Sequence, residues 1–384
     1  MTHTAGSAVQ AVTTDLALLP TLTLELTEAI ADSVAASKSE NTRRAYVSDW
    51  RRFERWCTTH GHPSLPAHPL TVAAYLTDAS GIRDQSGERE YAPATLSRWV
   101  AAIGHRHRTA GHPAPGATEV VAATLSGIRR TYAAAGERPR KQVAPLLVDD
   151  IVNIVAAARR QADGWAAQVL ERRDSALLLM GFAGAFRRSE LVGLQVGDVT
   201  RHRHDGLHVR LRRSKTDQDG RGATRALPRT TSHASCPPCA YTRWLQVVAA
   251  FDSAGRPGVI RLLRTAPEFE AHLCQGPLPL VSDLRVPVFR SVRRNGNLST
   301  TALSGAAVHK MIRRRATAAG YDETLVAGLG GHSLRAGFVT QAFRNGADAH
   351  AIMRQTGHAG PAMLEVYARE HAPLIGNAVT QIGL

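Results

Sequence analysis

The residues of this chain that could do chemistry are arginines, histidines and a tyrosine in a few short motifs. His332 and Arg335 stand three residues apart at a predicted helix start. There they share one face and lie near unpaired amide groups, which bind phosphate. His358 follows a glycine at a predicted helix end, and Tyr367 comes nine residues later. This spacing favours a site that binds phosphate and transfers protons.

Two further cationic positions lie upstream. Arg187 follows a buried-looking helix in the segment Ala-Phe-Arg-Arg-Ser-Glu-Leu, and Lys215 stands at the end of an alternating strand. Two arginines can clamp both non-bridging oxygens of a phosphodiester, and a histidine can move a proton near neutral pH. A lysine on a hairpin tip can protonate the leaving oxygen, and a tyrosine can act as a covalent nucleophile. Since no dense Asp/Glu set suits a two-metal reaction, the pattern indicates phosphoryl transfer without a metal.

The charge of the chain points to a polyanionic partner. The 384 residues carry a net charge of +15, but residues 1–40 carry −4, so residues 41–384 carry +19. Such a positive field attracts a polyanion, and nucleic acid is the first candidate. Mere solubility is the plainer interpretation, and the positions of the arginines must decide between the two.

Composition excludes several classes of protein. The sequence has no apolar run of the roughly 18 residues that a membrane span needs, and its N-terminus lacks a secretory pattern. Four cysteines in 384 residues do not make a disulfide framework. We therefore expect a cytoplasmic protein without a membrane partner, associated with the nucleoid if it is bacterial.

The first part of the chain predicts an all-helical domain. Residues 1–36 are expected to form a tail, with a short helix at 22–34. Helices are then predicted from Ser39 to about residue 60, at 70–79, from Pro93 to about residue 110, and at 117–135. Together they make a helical domain at 37–135. A basic segment rich in Pro and Gly follows at 136–145 and is predicted to be a linker.

The second part, residues 146–384, predicts a mixed domain. Period-2 alternation and the Asp205-Gly206 turn signal predict a small antiparallel sheet within 195–229. Residues 254–290 are rich in Pro and Gly and give no clear assignment. The predicted helices are 148–160, 168–185, 188–194, 238–251, 304–319, 333–345, 348–356 and 361–370.

Taken together, these motifs resemble the tyrosine recombinases, also called phage integrases. The order, spacing and context of the motif residues agree with that family over roughly residues 37–384. The corresponding positions are Arg187, Lys215, His332, Arg335, His358 and Tyr367. The resemblance implies a mainly α fold, with an N-terminal helical core-DNA-binding (SAM-like) domain and a mixed α+β catalytic domain that holds the small antiparallel sheet.

The resemblance also implies roles for the phosphate-binding residues. Arg187 and Arg335 would clamp the scissile phosphate, and His358 would be a second histidine in contact with it. Glu190 matches an acidic position that orients the site. One departure is that Ala185-Phe186 precedes Arg187, where the family usually has Gly-Leu.

The remaining roles concern the nucleophile and the protons. Tyr367 would form a 3′-phosphotyrosyl bond, His332 would manage the proton of the nucleophile, and Lys215 would protonate the 5′-hydroxyl leaving group. Strands would exchange in pairs through a Holliday junction, and the two domains would enclose duplex DNA. No cofactor is implied. The acidic first 40 residues do not look like the basic arm-binding domain of the larger family members.

The implied partners are DNA and further copies of the chain. The DNA would carry inverted-repeat half-sites of about 11–13 bp, bound by a dimer, with a tetramer in the synapse. An accessory DNA-bending protein could take part. The arginines and the lysine expected to contact DNA lie on the first helical domain and the linker. They are Arg43, Arg44, Arg98, Arg138, Arg140 and Lys141.

The final residues predict a docking segment. Apolar residues recur at helical spacing within 374–384, after a break at Pro373. A helix this short needs a packing partner. In the family that this chain resembles, the final segment docks into a neighbouring protomer, and we expect the same of residues 374–384.

Three alternative functions stay open from the sequence. One is DNA relaxation by a type IB topoisomerase, and another is a DNA-binding relative without catalysis. The third is a zinc-dependent regulator, because Cys236 and Cys239 form a Cys-x-x-Cys pair, with His233 nearby and His272 and Cys274 later. The second Cys-x-x-Cys or spaced histidine pair that zinc sites usually have is missing. The spacing therefore favours a structural role for the cysteines, and no metal is predicted.

Overall fold

The chain divides into two units. The computed structural model describes residues 22–137, 143–212, 222–265 and 269–362, together with residues 364, 365, 367, 374, 379 and 382. The units are Met1–Lys141 and Gln142–Leu384. None of the helices in the described part of the chain combines the length and the apolarity needed to cross a bilayer.

The described part of the first unit is built of helices, as predicted. Ser39 caps the second of them by accepting a hydrogen bond from the backbone N–H of Thr42, and Pro69 and Pro93 stand in the first turns of the next two, where a missing N–H costs nothing. The helices are α1 (Leu24–Ala36), α2 (Glu40–Thr59), α3 (Pro69–Gly81), α4 (Pro93–Thr109) and α5 (Glu119–Ala134).

Aromatic side chains fill the core of this unit. Phe53 and Cys57 continue the apolar stripe of α2 and are buried, and Tyr75 stacks on Trp99 with ring centroids 5.3 Å apart. His107 is fully buried and accepts a hydrogen bond from the backbone N–H of Ala67 at Nε2. A closed aromatic core of this kind keeps the outer face of α2 free to carry arginines.

The second unit is organised around one buried helix. α7 is apolar around most of its circumference, including Leu177, Leu178 and Met180, because neighbouring helices cover it on several sides. The prediction of a helix at 168–185 is confirmed, and the observed helix starts a few residues before residue 168. The helices of this unit are α6 (Val148–Arg160), α7 (Gly164–Ala183), α8 (Arg188–Gly193), α9 (Pro237–Thr265), α10 (Gly305–Ala318), α11 (Glu323–Gly328), α12 (Ser333–Arg344) and α13 (Ala349–Thr356).

A three-stranded antiparallel sheet follows α8. Its strands β1 (Val199–His202), β2 (Gly206–Leu211) and β3 (Ala223–Leu227) pair in the order β1-β2-β3, and Asp205-Gly206 closes the first hairpin with Gly206 at φ 101°. The prediction of a small antiparallel sheet, and of a mainly α fold that contains it, is confirmed.

Two features between 254 and 302 were missed from the sequence. α9 bends at Ala254 and Gly255, where Gly255 has φ 59°, and continues to Thr265. The helix was predicted to end at residue 251, but Gly255-Arg-Pro-Gly marks a kink after which the helix resumes. A second hairpin pairs β4 (Arg290–Val292) with β5 (Leu298–Ala302). Its Asn295-Gly296 turn is a strong hairpin signal that was available in the sequence.

The end of the chain is described only at scattered positions. Of the predicted helix 361–370, residues 362, 364, 365 and 367 are helical. Leu364 and Tyr367 pack with Ala336, Val339 and Ile352 in a small apolar cluster. This cluster attaches Tyr367 to α12 and α13. Most of 374–384 lies outside the described residues.

Candidate active site

A strained turn at the end of α7 presents the first arginine. Gly184 ends the helix, and Phe186 folds back so closely that a Cβ on Gly184 would lie 2.2 Å from its ring. Ala185 between them is fully buried and has φ 48°, a left-handed conformation that costs a non-glycine residue about 1–2 kcal/mol. The surrounding packing maintains this strained conformation. As a consequence, the backbone carbonyl of Ala185 and the side chain of Arg187 face the same region.

Glu190 fixes Arg187 at two points. One carboxylate oxygen accepts the backbone N–H of Arg187 at 2.8 Å, and the other accepts from its Nη1 at 2.6 Å. The carboxylate is buried, while the guanidinium is partly exposed. Nη2 of Arg187 lies 3.5 Å from the carbonyl oxygen of Gly357. The guanidinium is therefore held in place and keeps an accessible edge.

Arg335 lies at the centre of the site. It is 1% exposed. Its Nη1 donates to the carbonyl oxygens of Ala185 and Thr356, both at 2.7 Å. Its Nη2 lies 3.0 Å from Nε2 of His358. Arg335 thus ties the α7 turn to the end of α13.

Close backbone packing positions the helix that carries Arg335. A Cβ on Gly337 would lie 1.7 Å from the carbonyl oxygen of Leu146, so only glycine permits α12 to approach that segment. The backbone N–H of Leu146 also donates to the carbonyl oxygen of Ser333 at 3.2 Å. The start of α12 is therefore clamped between the core and the site.

His358 is oriented by Thr356. The Thr356 hydroxyl donates to the carbonyl oxygen of Ile352 at 2.8 Å and lies 2.9 Å from Nδ1 of His358. Because the hydroxyl hydrogen of Thr356 is already donated to Ile352, the hydroxyl oxygen must accept a hydrogen bond from Nδ1–H of His358. Nε2 of His358 then accepts from Arg335. Gly357, with φ 67°, provides the reversal between the two residues.

Burial and neighbouring cations set the protonation of this pair. Burial, followed by the charges of Arg335 and Arg187, lowers the pKa of His358 to about 4. Burial and then the charge of Arg187 lower the pKa of Arg335 to about 10, while Glu190 and Tyr367 act in the opposite direction. At neutral pH, His358 is an uncharged acceptor and Arg335 remains a cation.

We predict that His358 stays neutral down to about pH 5, as the Nδ1–H tautomer. Its folded pKa of about 4 lies below the unfolded value of about 6.5, so protons favour the unfolded chain. Titration of His358 therefore leaves the free energy of unfolding unchanged above about pH 6.5 and lowers it as the pH falls towards about 4. Imidazole ¹⁵N NMR of the free protein measures both the pKa and the tautomer of His358. The His358 signals are assigned by their absence from the spectrum of His358→Asn. A midpoint above about 6 or an Nε2–H tautomer would contradict the geometry.

The second histidine contacts the tyrosine. His332 stands at the N-terminus of α12, and its Nε2 lies 2.9 Å from the hydroxyl oxygen of Tyr367. His332 is exposed to solvent, while Tyr367 is 8% exposed. Of the predicted catalytic residues, the structure thus brings together Arg187, His332, Arg335, His358 and Tyr367, in two contacting groups joined by α12.

A third arginine, not predicted from the sequence, lies beside the site. Arg225 on β3 is buried, and its Nη1 donates to the carbonyl oxygen of Arg354 at 2.7 Å. A Cβ on Gly357 would lie 2.3 Å from its Nη2. Burial lowers its pKa, Glu190 raises it and Arg187 lowers it further. An arginine at an inward position of an alternating strand was the available signal, since such positions normally hold apolar residues.

Other predicted positions fall elsewhere. Lys215, Arg138, Arg140 and Lys141 lie outside the described residues. Arg188 is exposed and covers Gly305 and Gly331, so the arginine held by Glu190 is Arg187.

The predicted DNA-contacting arginines of the first unit have protein partners. Arg98 makes two hydrogen bonds, of 2.8 and 3.0 Å, to the buried carboxylate of Asp49. Arg43 pairs with Glu40, and Arg44 donates to Asn41. Both Arg43 and Arg44 are exposed. Arg98 therefore has a structural task, and DNA contact by any of the three stays a prediction.

Comparison with known proteins shows what this chain is similar to. The chain is 32% identical over 350 residues to an integrase/recombinase XerD homolog of Selenomonas ruminantium, which covers 90% of this chain and 86% of the relative. No protein-family model matches. The XerH site-specific recombinase, solved bound to palindromic difH substrate in a post-cleavage complex, aligns with a TM-score of 0.50 and 16% identity over 82% of this chain and 72% of its own. The Tn1549 transposon integrase, in complex with transposon right end DNA, aligns with a TM-score of 0.49 and 15% identity over 88% and 92%.

The chain belongs to the tyrosine recombinase family, as the XerD homolog shows. It is an enzyme of site-specific recombination, which cuts and rejoins DNA. The family and function that the motifs indicated are confirmed.

Proposed function

We propose that Tyr367 is the nucleophile of this recombinase and that His332 accepts its proton. The observation that carries this proposal is the 2.9 Å contact between the Tyr367 hydroxyl and Nε2 of His332. A neutral imidazole at this distance can take the phenol proton as the oxygen attacks. His332 is exposed, so it can pass that proton on to solvent.

Arg187 and Arg335 bind the scissile phosphate. Arg335 is pinned by two carbonyl oxygens and His358, and Arg187 is pinned by Glu190. Preorganised donors of this kind stabilise the charge that develops on the phosphoryl oxygens without reorganisation during the reaction. The neutral state of His358 lets it orient Arg335 without adding another positive charge to the site.

The chemical step is a transesterification. The phenol oxygen of Tyr367 attacks phosphorus, the bond from phosphorus to the 5′ oxygen breaks, and a 3′-phosphotyrosyl bond forms. The phenol proton goes to His332, and the leaving 5′ oxygen takes a proton from Lys215. A 5′-hydroxyl of the partner strand then reverses these transfers through a Holliday junction. The number of ester bonds is conserved, so no energy source is required.

DNA contact by the first unit is supported by the outer face of α2. A groove on this helix is lined by four arginines and two glutamates. Exposed arginines along one helix can follow a phosphate backbone. The arginines are Arg43, Arg44, Arg51 and Arg55. We assign residues 37–135 as the core-DNA-binding domain, 136–145 as the linker and 146–384 as the catalytic domain.

The assembly we propose is a dimer on each site and a tetramer in the synapse, acting in the cytoplasm. Three apolar side chains of the final segment support a docking role for residues 374–384. Leu374, Val379 and Ile382 are 62%, 44% and 63% exposed. A second copy of the chain would cover them.

The polarity of the trapped product tests this function. A duplex that contains the binding site is first selected from a randomised library by its binding to the protein. Versions of this duplex are then made with a nick at successive positions. Cleavage near the nick releases a short strand, which traps the enzyme in its covalent complex. We expect a covalent complex with the 3′ end of the broken strand and a free 5′-hydroxyl that polynucleotide kinase labels without phosphatase treatment. Attachment to a 5′ phosphate would refute the proposal.

A further inference from the structure

Four potential metal ligands converge at the start of α9. Cys236 immediately precedes this helix, and Cys239 lies in its first turn. His272 and Cys274 come from a separate segment more than thirty residues later. One donor atom from each of the four residues lies within 4.8 Å of every other. The segment that follows α9 thus supplies the second half of the ligand set that the cysteine pair lacks in the local sequence.

The distances between the donor atoms fit a tetrahedral zinc ion. Sγ of Cys236 is 3.9 Å from Sγ of Cys274, and Nδ1 of His272 is 3.3 Å from Sγ of Cys239 and 3.8 Å from Sγ of Cys274. Zn–S bonds of about 2.3 Å and Zn–N bonds of about 2.0–2.1 Å at tetrahedral angles require about 3.8 Å between sulfurs and about 3.5 Å between sulfur and nitrogen. A disulfide would require about 2.05 Å between sulfurs.

His272 is oriented as a zinc ligand. Its Nε2 lies 3.3 Å from the carbonyl oxygen of Thr231, which can accept only from N–H. This contact places the ring proton on Nε2 and leaves the lone pair of Nδ1 facing the sulfurs. Metal-bound histidines commonly donate their other ring N–H to a backbone carbonyl in this way.

The surroundings suit a small negative charge. Cys236, Cys239 and Cys274 are buried and pack against Phe269. The guanidinium groups of Arg159 and Arg243 lie 5.1 and 4.6 Å from the centre of the Phe269 ring. Both arginines share the carboxylate of Glu171, so positive charge is in excess beside the cluster. Three thiolates, one neutral imidazole and Zn²⁺ sum to −1, which that excess offsets.

We propose that Cys236, Cys239, His272 and Cys274 bind one structural zinc ion. The four protein ligands complete a tetrahedral shell and leave no position for water or substrate, which is typical of structural and not of catalytic zinc. The ion joins the first turn of α9 to the segment around residues 272–274. It also braces the segment that leads from β3, the strand that carries Arg225, to Cys236. This function is separate from DNA cleavage and goes beyond the recombinase activity.

The metal content of the full-length protein tests the site. The chain is produced without a histidine tag, dialysed against metal-free buffer and analysed by inductively coupled plasma mass spectrometry. We expect one zinc per chain in the wild type. In His272→Ala we expect a fall to below about one tenth. His272→Cys, which keeps four ligands, should retain zinc and the wild-type melting temperature.

Two control variants are matched to the cluster. Cys57→Ser removes the remaining cysteine, which lies in the core of the first unit, and should leave the zinc content unchanged. His202→Ala combined with His208→Ala removes the surface group of His202, Asp205 and His208 on the β1–β2 hairpin, and should also leave it unchanged. A protein without zinc, a stoichiometric content of another metal, or zinc lost from the hairpin variant would each overturn the proposal.

A spectroscopic reading identifies the ligands directly. Cobalt(II) exchanged into the wild type should give the intense visible bands of tetrahedral coordination and a sulfur-to-metal charge-transfer band. Cys274→Ser should weaken the charge-transfer band. His272→Ala is the variant to rely on if Cys274→Ser fails to fold, because His272 is only half-buried. A weak octahedral spectrum in the wild type would contradict the site.

Discussion

Replacing Tyr367 by Phe is expected to abolish DNA cleavage while leaving DNA binding nearly unchanged. The substitution removes the hydroxyl that contacts His332 and keeps the ring that packs with Leu364 and Val339. Loss of one hydrogen bond costs about 0.5–1.5 kcal/mol of unfolding free energy. Without its nucleophile, the enzyme should lose covalent adduct on a nicked substrate by about 10³-fold or more. Denaturing gels and gel shifts on the same duplex measure the two effects.

A second tyrosine provides a matched control for this substitution. The hydroxyl of Tyr321 donates to Asp150 at 2.8 Å, and burial together with that contact raises its pKa to about 12. Tyr321→Phe therefore removes an equivalent hydrogen bond outside the site and should retain cleavage. Equal adduct yields from wild type and Tyr367→Phe would show that Tyr367 is not the nucleophile.

Arg335→Lys is expected to lower the cleavage rate about 10²–10³-fold, with a much smaller loss of DNA affinity. The guanidinium donates to two carbonyl oxygens and lies against His358, and an ammonium group lacks the planar fork that places donors on two separate nitrogens toward these acceptors. The effect falls on the rate because the clamp matches the charge of the transition state better than that of bound DNA. Single-turnover cleavage at saturating protein separates rate from affinity.

Stability must be measured beside this rate. An unpaired buried carbonyl costs about 1–3 kcal/mol, so Arg335→Lys also lowers the free energy of unfolding. Arg313→Lys is the control, because Arg313 likewise donates to two backbone carbonyl oxygens, those of Leu329 and Ala327, and is not one of the residues assigned to the site. If Arg335→Lys does not fold, Arg187→Lys carries the test, since Arg187 is partly exposed. Cleavage near the wild-type rate in either site variant would refute the clamp.

The sequence predicted most helices of both units and the hairpin at Asp205-Gly206 because each begins or ends with a local signal, but it missed the short helix α11. Ser39 is a capping residue, and Pro69 and Pro93 are typical first-turn residues. The helix signal was clear for Val148–Arg160, where predicted and observed bounds coincide. Where a breaker lies inside an element, as at Gly255, local reasoning ended α9 too early.

The candidate site was predicted less completely because it depends on contacts between distant segments. The motif residues could be placed in order, but the pairing of Arg335 with the carbonyl oxygens of Ala185 and Thr356 follows from the fold. Arg225 belongs to no motif and contributes only because β3 packs beside Gly357.

The cysteine cluster shows the same limit. Local spacing rules, applied to Cys236 and Cys239, favoured a structural role without metal. In the fold, the segment after α9 places His272 and Cys274 beside these two cysteines. Rules based on sequence spacing do not predict this contact. The sequence named all four residues, but only the fold shows that their donor atoms lie close enough together to share one ion.

The most direct measurement of the central claim is the mass-spectrometric mapping of the trapped covalent complex. The wild-type adduct is digested with nuclease and protease, and the peptide that carries the nucleotide remnant is sequenced by fragmentation. The chain has seven tyrosines, so the result discriminates among them. We predict a phosphodiester-linked remnant on Tyr367 and unmodified Tyr321. A remnant on any other residue would contradict it.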